Sequence, residues 1–218
     1  MPDAPSQIST PCAPTPSVLP IQSPEAAPRF TALTRDWFHE VEPASPAFRI
    51  VLSATALEFY ITARKKPNCL PWGRAGEFCE GLWQHDCGEL FLGNPANGYY
   101  LEINLAPNGA WWTCLFEEPR MSALVENLPL DGVASEGLEG VAHWEARIRI
   151  PLQVLPPQLG DFTAPQRGGH QALVSTMVGN VCFSLGNAPK QRFLSFATPA
   201  PGNPDFHLPS QWLPFAIV

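Results

Sequence analysis

The chain has 218 residues with 13 Lys and Arg against 20 Asp and Glu. Its net charge of −7 excludes the clustered basic footprint of a nucleic-acid binder. Twenty-six prolines exclude a bundle of long helices, since interior proline breaks the helical hydrogen-bond ladder, and no apolar run approaches the roughly 20 residues of a membrane-spanning helix.

Residues 1–28 hold eight of the 26 prolines and no Lys or Arg. Such a segment buries too little apolar surface to offset chain entropy, which predicts a Pro-rich tail or linker before one folded unit over 29–218. The alternative is a segment draped over the domain and anchored by Val18, Leu19 and Ile21. Residues 1–28 also lack the basic and apolar regions of an export signal, so a cytoplasmic location is expected. The cysteines Cys12, Cys69, Cys79, Cys87, Cys114 and Cys182 are then expected as free thiols. None forms a Cys-x-x-Cys pair, so a structural zinc site is not expected.

From Phe48 onward the hydrophobic period is two, the period of strands. Strands are predicted over Phe48–Leu52 and Thr55–Ala63, with Leu57, Phe59 and Ile61 on one face of the second. Further strands are predicted over Trp83–Leu92 and Gly98–Leu105, and a Pro107-Asn108-Gly109 turn leads into Ala110–Glu117. Others fit Val141–Ile150, Gln171–Phe183 and Arg192–Ala197, with a single helical turn after Pro151. Many short strands with Pro and Gly punctuation indicate an all-β fold, an antiparallel β-sandwich of two sheets. A closed barrel is the competing architecture.

Strand alternation places Trp83, His85, Cys87, Glu89 and Phe91 on one face, and Tyr100, Glu102 and Asn104 together on the next strand. Leu101, Ile103 and Leu105 form the opposite, core-facing row. Either Trp111 or Trp112 stands beside the polar row, because a one-residue slip exchanges the faces. Planar aromatics beside carboxylates and amides suit a sugar, whose C–H face stacks on the ring while its hydroxyls pair with Glu and Asn. The competing reading assigns the tryptophans to the core and the histidines, His85 and His207 included, to structural hydrogen bonds. Cys79 or Cys87 with His85 offers the residue types of thiol catalysis, without an orienting third group.

Gly81-Leu82-Trp83 through Glu89-Leu90-Phe91, and Tyr100 through Trp111, resemble the signature of DOMON-like domains related to type-9 carbohydrate-binding modules. Trp144-Glu145-Ala146-Arg147-Ile148-Arg149-Ile150-Pro151, Phe193-Leu194-Ser195-Phe196 and Pro204-Asp205-Phe206-His207 continue the likeness in order over residues 48–218. It is nearest to a bacterial single-domain DOMON-like subgroup. The resemblance implies a two-sheet sandwich with a concave ligand face, where Trp83, Glu89 and Asn104 match the aromatic, acidic and amide positions of the sugar binders. Glu102 stands where those proteins often carry a basic residue. The second aromatic of the sugar sandwich has no equivalent beyond Phe206 or Trp212, and calcium-ligating acids are not recognisable.

The candidate ligand-binding residues are therefore Trp83, His85, Glu89, Glu102, Asn104, Trp111, Trp112, Phe206 and His207. The expected function is non-catalytic binding of a carbohydrate or similar polar small molecule, with no catalytic or metal-ligating residues assigned. No cofactor is assigned, haem and calcium staying open; no nucleic-acid or membrane partner is expected, and the oligomeric state is left open. One alternative is haem held by Met121 or Met177 with His85, His143 or His207. A second is a glycosidase using Glu89 and Glu102. A third is an interaction domain whose Pro-rich segment docks in aromatic grooves.

Overall fold

The computed structural model describes residues 16–123, 129–161, 174 and 176–218. Two sheets pack face to face, and no helix longer than a single 3₁₀ turn occurs among the described secondary-structure elements. The smaller sheet runs β2 (Thr31–Ala32), β3 (Ala47–Leu52), β4 (Ala56–Ala63), β10 (Trp144–Pro151) and β9 (Ala134–Glu139) in spatial order. The larger sheet runs β1 (Leu19–Ile21), β13 (Leu213–Ile217), β11 (Val178–Leu185), β5 (Cys87–Gly93), β6 (Tyr100–Leu105), β7 (Trp111–Glu118) and β8 (Met121–Ser122). A further strand, β12 (Arg192–Ser195), also pairs with β11.

The smaller sheet shows why period two was readable there. Along β10, Trp144, Ala146, Ile148 and Ile150 are buried, while Glu145, Arg147 and Arg149 face outward. On β4, Leu57, Phe59 and Ile61 point inward as the alternation required. They meet Leu90 and Leu92 of β5 and Leu101, Ile103 and Leu105 of β6 in one hydrophobic core. The sheets approach closely at Gly88, where an added Cβ would lie 2.6 Å from Ile61 Cγ2.

The larger sheet behaves differently, because β5 and β6 are buried on both faces. Its inner face belongs to the sandwich core, and its outer face carries a second cluster including Phe91, Tyr100, Phe116, Phe206 and Trp212. The chain between β12 and β13 supplies that cover: Trp212 packs 5.2 Å from Phe91, and its indole N–H donates to the Phe206 carbonyl at 3.2 Å. Trp37 packs against Phe206 from the other side and donates to the Gly202 carbonyl.

Several expectations change. Strand β5 begins at Cys87 rather than Trp83, because Leu82–Gln84 form a 3₁₀ turn that Gly81 enters with φ +87°. Strand β11 begins at Val178, and residues 171–173 and 175 of the predicted Gln171–Phe183 strand lie outside the described residues. Within the expected tail, Leu19 and Ile21 are fully buried and β1 pairs in parallel with β13, while Val18 is exposed. Residues 1–15 lie outside the described residues. Strands β1, β2, β8, β9 and β13 are additions to the sequence reading.

Candidate functional site

The outer face of the larger sheet is laid out in cross-strand rows. One row runs Cys182, Glu89, Asn104 and Trp112 across β11, β5, β6 and β7. The next runs Asn180, Phe91, Glu102 and Cys114. Above these rows lies a cavity of about 660 Å³. Glu89, Glu102 and Trp112 line its sheet side, Trp83 and His85 come from the 3₁₀ turn, and Phe206 and His207 come from the segment before β13.

Two of the candidate residues lie elsewhere. The register pairs Asn104 with Trp112 and Leu105 with Trp111, so Trp112 faces the cavity and Trp111 enters the sandwich core against Phe78. Trp111 is thereby removed from the candidate site, for the reason that one residue along a strand reverses the face. Asn104 is not on the cavity wall. It is fully buried behind it, where its Nδ2 donates to Glu102 Oε1 at 2.9 Å.

Both glutamates are buried, and burial is the main reason their carboxyl groups are pushed up, to about 8 for Glu89 and about 7 for Glu102. The charge of Glu102 adds to the rise at Glu89, while a hydrogen bond from Ser184 Oγ at 2.8 Å opposes it. At Glu102 the Asn104 amide and the Arg120 charge oppose the rise. His207 Nε2 lies 3.6 Å from Glu102 Oε2, beyond hydrogen-bond reach. Burial, helped by the Arg120 charge, lowers the His207 imidazole to about 4 and keeps it neutral.

The rim is held by interactions outside the cavity. Asp86 is fully buried and accepts hydrogen bonds from Lys65 Nζ, the Asn68 amide at 2.8 Å and the Gly186 amide at 2.6 Å. It thereby ties the Trp83 turn to the end of β11. Gln191 Nε2 donates to the Trp83 carbonyl at 2.7 Å and completes that clamp. Trp83 and Trp112 then stand 5.1 Å apart at an interplanar angle of 58°.

Some polar groups here have no protein partner among the described residues: Trp112 Nε1, His85 Nδ1 and Asn104 Oδ1. Each of these atoms is buried away from solvent. Ser184, Phe116 and Arg120 also line the cavity and were not among the candidates. Alternation from Trp112 points to Phe116, and alternation from Cys182 points to Ser184. Arg120, in the turn after β7, carries no comparable signal.

Other chemistry finds less support. Cys87 is fully buried, and burial pushes its thiol well above the ordinary range, opposite to what a nucleophile needs. Cys79 is likewise raised, mainly by burial. Of the proposed haem ligands, Met177 sits in the sandwich core, and His143 is on the surface paired with Glu145. No group of three or more His, Cys, Asp or Glu side chains suited to a metal ion occurs among the described residues. No described helix is long and apolar enough to cross a membrane.

Comparison with solved structures returns the same architecture. A candidate carbohydrate-binding protein from Bacteroides uniformis superposes with a TM-score of 0.64 at 15% identity, covering 93% of this chain and 99% of that one. The fold is shared. A family 9 carbohydrate-binding module from Caldicellulosiruptor kristjanssonii, in complex with glucose, gives a TM-score of 0.53 at 11% identity over 92% of this chain and 96% of the module. Its complex with cellotriose gives 0.51, also at 11% identity, over 91% of this chain and 93% of that one. In sequence, the chain is 31% identical over 94 residues to a mouse protein named UPF0462 protein C4orf33 homolog, 43% of this chain and 47% of that protein. The human UPF0462 protein C4orf33 matches at 29% over 94 residues, 43% of this chain and 45% of the human protein. The matched region thus spans about half the length of these relatives. They are mammalian, and the bacterial subgroup expected from the sequence gains no support from them. No family model matches the chain.

Proposed function

We propose that the protein is a non-catalytic binder of a carbohydrate or a similar polar small molecule, held in the cavity beneath Phe206 and His207. The observation that carries this reading is a 660 Å³ cavity whose wall combines the rings of Trp83, Trp112 and Phe116 with the carboxyl groups of Glu89 and Glu102. A sugar matches that wall, with C–H faces for the rings and hydroxyls for the polar groups beside them. Glu89, Glu102 and His85 offer further hydrogen-bonding positions on the same wall. The two structural neighbours named for carbohydrate binding support the reading as analogy, since a shared fold does not fix function.

The test is calorimetry with a panel of mono- and disaccharides, repeated on Trp112→Phe and Glu89→Gln. Saturable binding that weakens in both variants supports the proposal. No binding of any sugar at millimolar concentration overturns it. A glycosidase is a second reading, favoured by two cavity carboxyls with raised proton affinity. Turnover of chromogenic glycosides that disappears in Glu89→Gln would replace binding with catalysis.

A further inference from the structure

We propose that the ligand carries a protonated amine, and that the site is built for an amino sugar with a free ammonium group rather than for a neutral sugar. This rests on the carbohydrate reading above and narrows it. The cavity wall is short of positive charge. Two carboxyl groups, Glu89 and Glu102, enter from adjacent strands, and neither makes a hydrogen bond to a Lys or Arg side chain among the described residues. Arg120 is the one Lys or Arg on that wall, but its guanidinium is engaged 2.8 Å from Asp205 and is largely exposed.

His207 and Tyr100 do not supply positive charge. His207 is held neutral by its burial, and Tyr100 Oη is occupied by His207 Nδ1 and the Arg120 amide. Cys87 and Cys182, beside Glu89 on the sheet, are buried thiols pushed well above their ordinary range. His85, on the turn above, has an unpartnered Nδ1. Burial, with the charge of Glu102 adding to it at Glu89, leaves both carboxyls holding protons more tightly than usual.

An ammonium ion satisfies the same wall differently. It brings three N–H donors to the oxygens of the two glutamates. The aromatic wall of Trp83, Trp112 and Phe116 adds faces that attract a cation. A neutral sugar stacks on the same rings and pairs its hydroxyls with the same carboxyls, but it brings no positive charge to them.

Calorimetry of the full chain at about pH 7 with glucosamine, N-acetylglucosamine and glucose tests this, because acetylation removes the charge from the same ring. Glucosamine is expected to bind at least about tenfold more tightly than the other two. In Glu102→Gln, with folding checked by thermal melting, the ratio of glucosamine to glucose affinity should fall toward one. Glucose or N-acetylglucosamine binding as tightly as glucosamine would overturn the ammonium inference and leave the carbohydrate reading standing. Binding of none of the three, nor of any sugar in the wider panel, would overturn both.

Discussion

Tyr100 Oη lies 2.8 Å from His207 Nδ1 and accepts the Arg120 amide at 3.1 Å. Both contacts are satisfied when the phenol donates to Nδ1, which places the imidazole proton on Nε2, facing Glu102. This pair joins the sheet to the segment that roofs the cavity. Tyr100→Phe is expected to cost about 1–2 kcal/mol in urea unfolding, because it leaves a buried imidazole nitrogen unpaired. Sugar affinity should fall with it, while Tyr60→Phe on the opposite sheet leaves affinity unchanged.

The glutamate pair predicts an uncommon pH dependence. Folded pKa values raised above the ordinary 4.5 mean that the native state binds more protons than the unfolded chain between about pH 4.5 and 8. Stability from these groups is therefore fully present below pH 4.5 and is lost as pH rises toward 8. The lowered His207 works with opposite sign, losing stability as pH falls from 6.5 to about 4. Thermal melts should show stability declining from pH 6.5 to 8, and Glu89→Gln should flatten that decline and stabilise the protein at pH 8 by roughly 1–3 kcal/mol. An unchanged slope in the variant would refute the assignment to Glu89.

The adjacent tryptophans separate folding from binding. Trp111→Ala opens a hole in the sandwich core and should cost about 3–5 kcal/mol. The protein that remains folded at low temperature should keep its sugar affinity. Trp112→Phe shrinks the aromatic face on the cavity wall, so it should weaken binding by about tenfold with a small change in stability.

Asp86 should behave as a clamp rather than a ligand contact. Asp86→Ala leaves Lys65 and the Asn68 and Gly186 amides without their common acceptor, an expected loss of about 3–5 kcal/mol in urea unfolding. Lys65→Met removes one partner, which leaves the buried carboxylate only its two amide donors. Its cost should be smaller than that of Asp86→Ala.

Gly88→Ala tests the spacing between the sheets. The new methyl group meets Ile61 Cγ2 at 2.6 Å, and overpacking of this kind costs about 1–3 kcal/mol. Ile61→Ala removes the opposing methyl group, so the double variant should be more stable than the sum of the single effects.

The sandwich was legible wherever one face met solvent. Strands β4 and β10 alternate cleanly; β4 matches its predicted span to within one residue, and β10 starts three residues later than the alternation indicated. The strands that were missed are those whose residues conceal the pattern. Strand β9 lies at the sheet edge with its residues largely exposed, so no apolar face marks it. Strands β1 and β13 contain Pro20 and Pro214, residues that read as breaks although proline is tolerated where its missing N–H is not needed by the ladder. At the site, sequence spacing brought Glu89 and Glu102 to one face, and Trp83 and His85 reached the same cavity by a 3₁₀ turn instead of strand alternation. The choice between Trp111 and Trp112 needed the β6–β7 register, which depends on a hairpin's hydrogen bonds and not on composition.

The parallel pairing of β1 with β13 joins segments almost two hundred positions apart, Leu19 opposite Phe215. Contacts of such separation close the longest loop in the fold and are the slowest kind to form during folding. Phe206 and His207 precede β13 directly in the chain, so the roof of the cavity settles when this last strand docks. Refolding followed by ligand-dependent fluorescence should therefore trail refolding followed by β4–β10 backbone protection, making recognition the final property the molecule acquires.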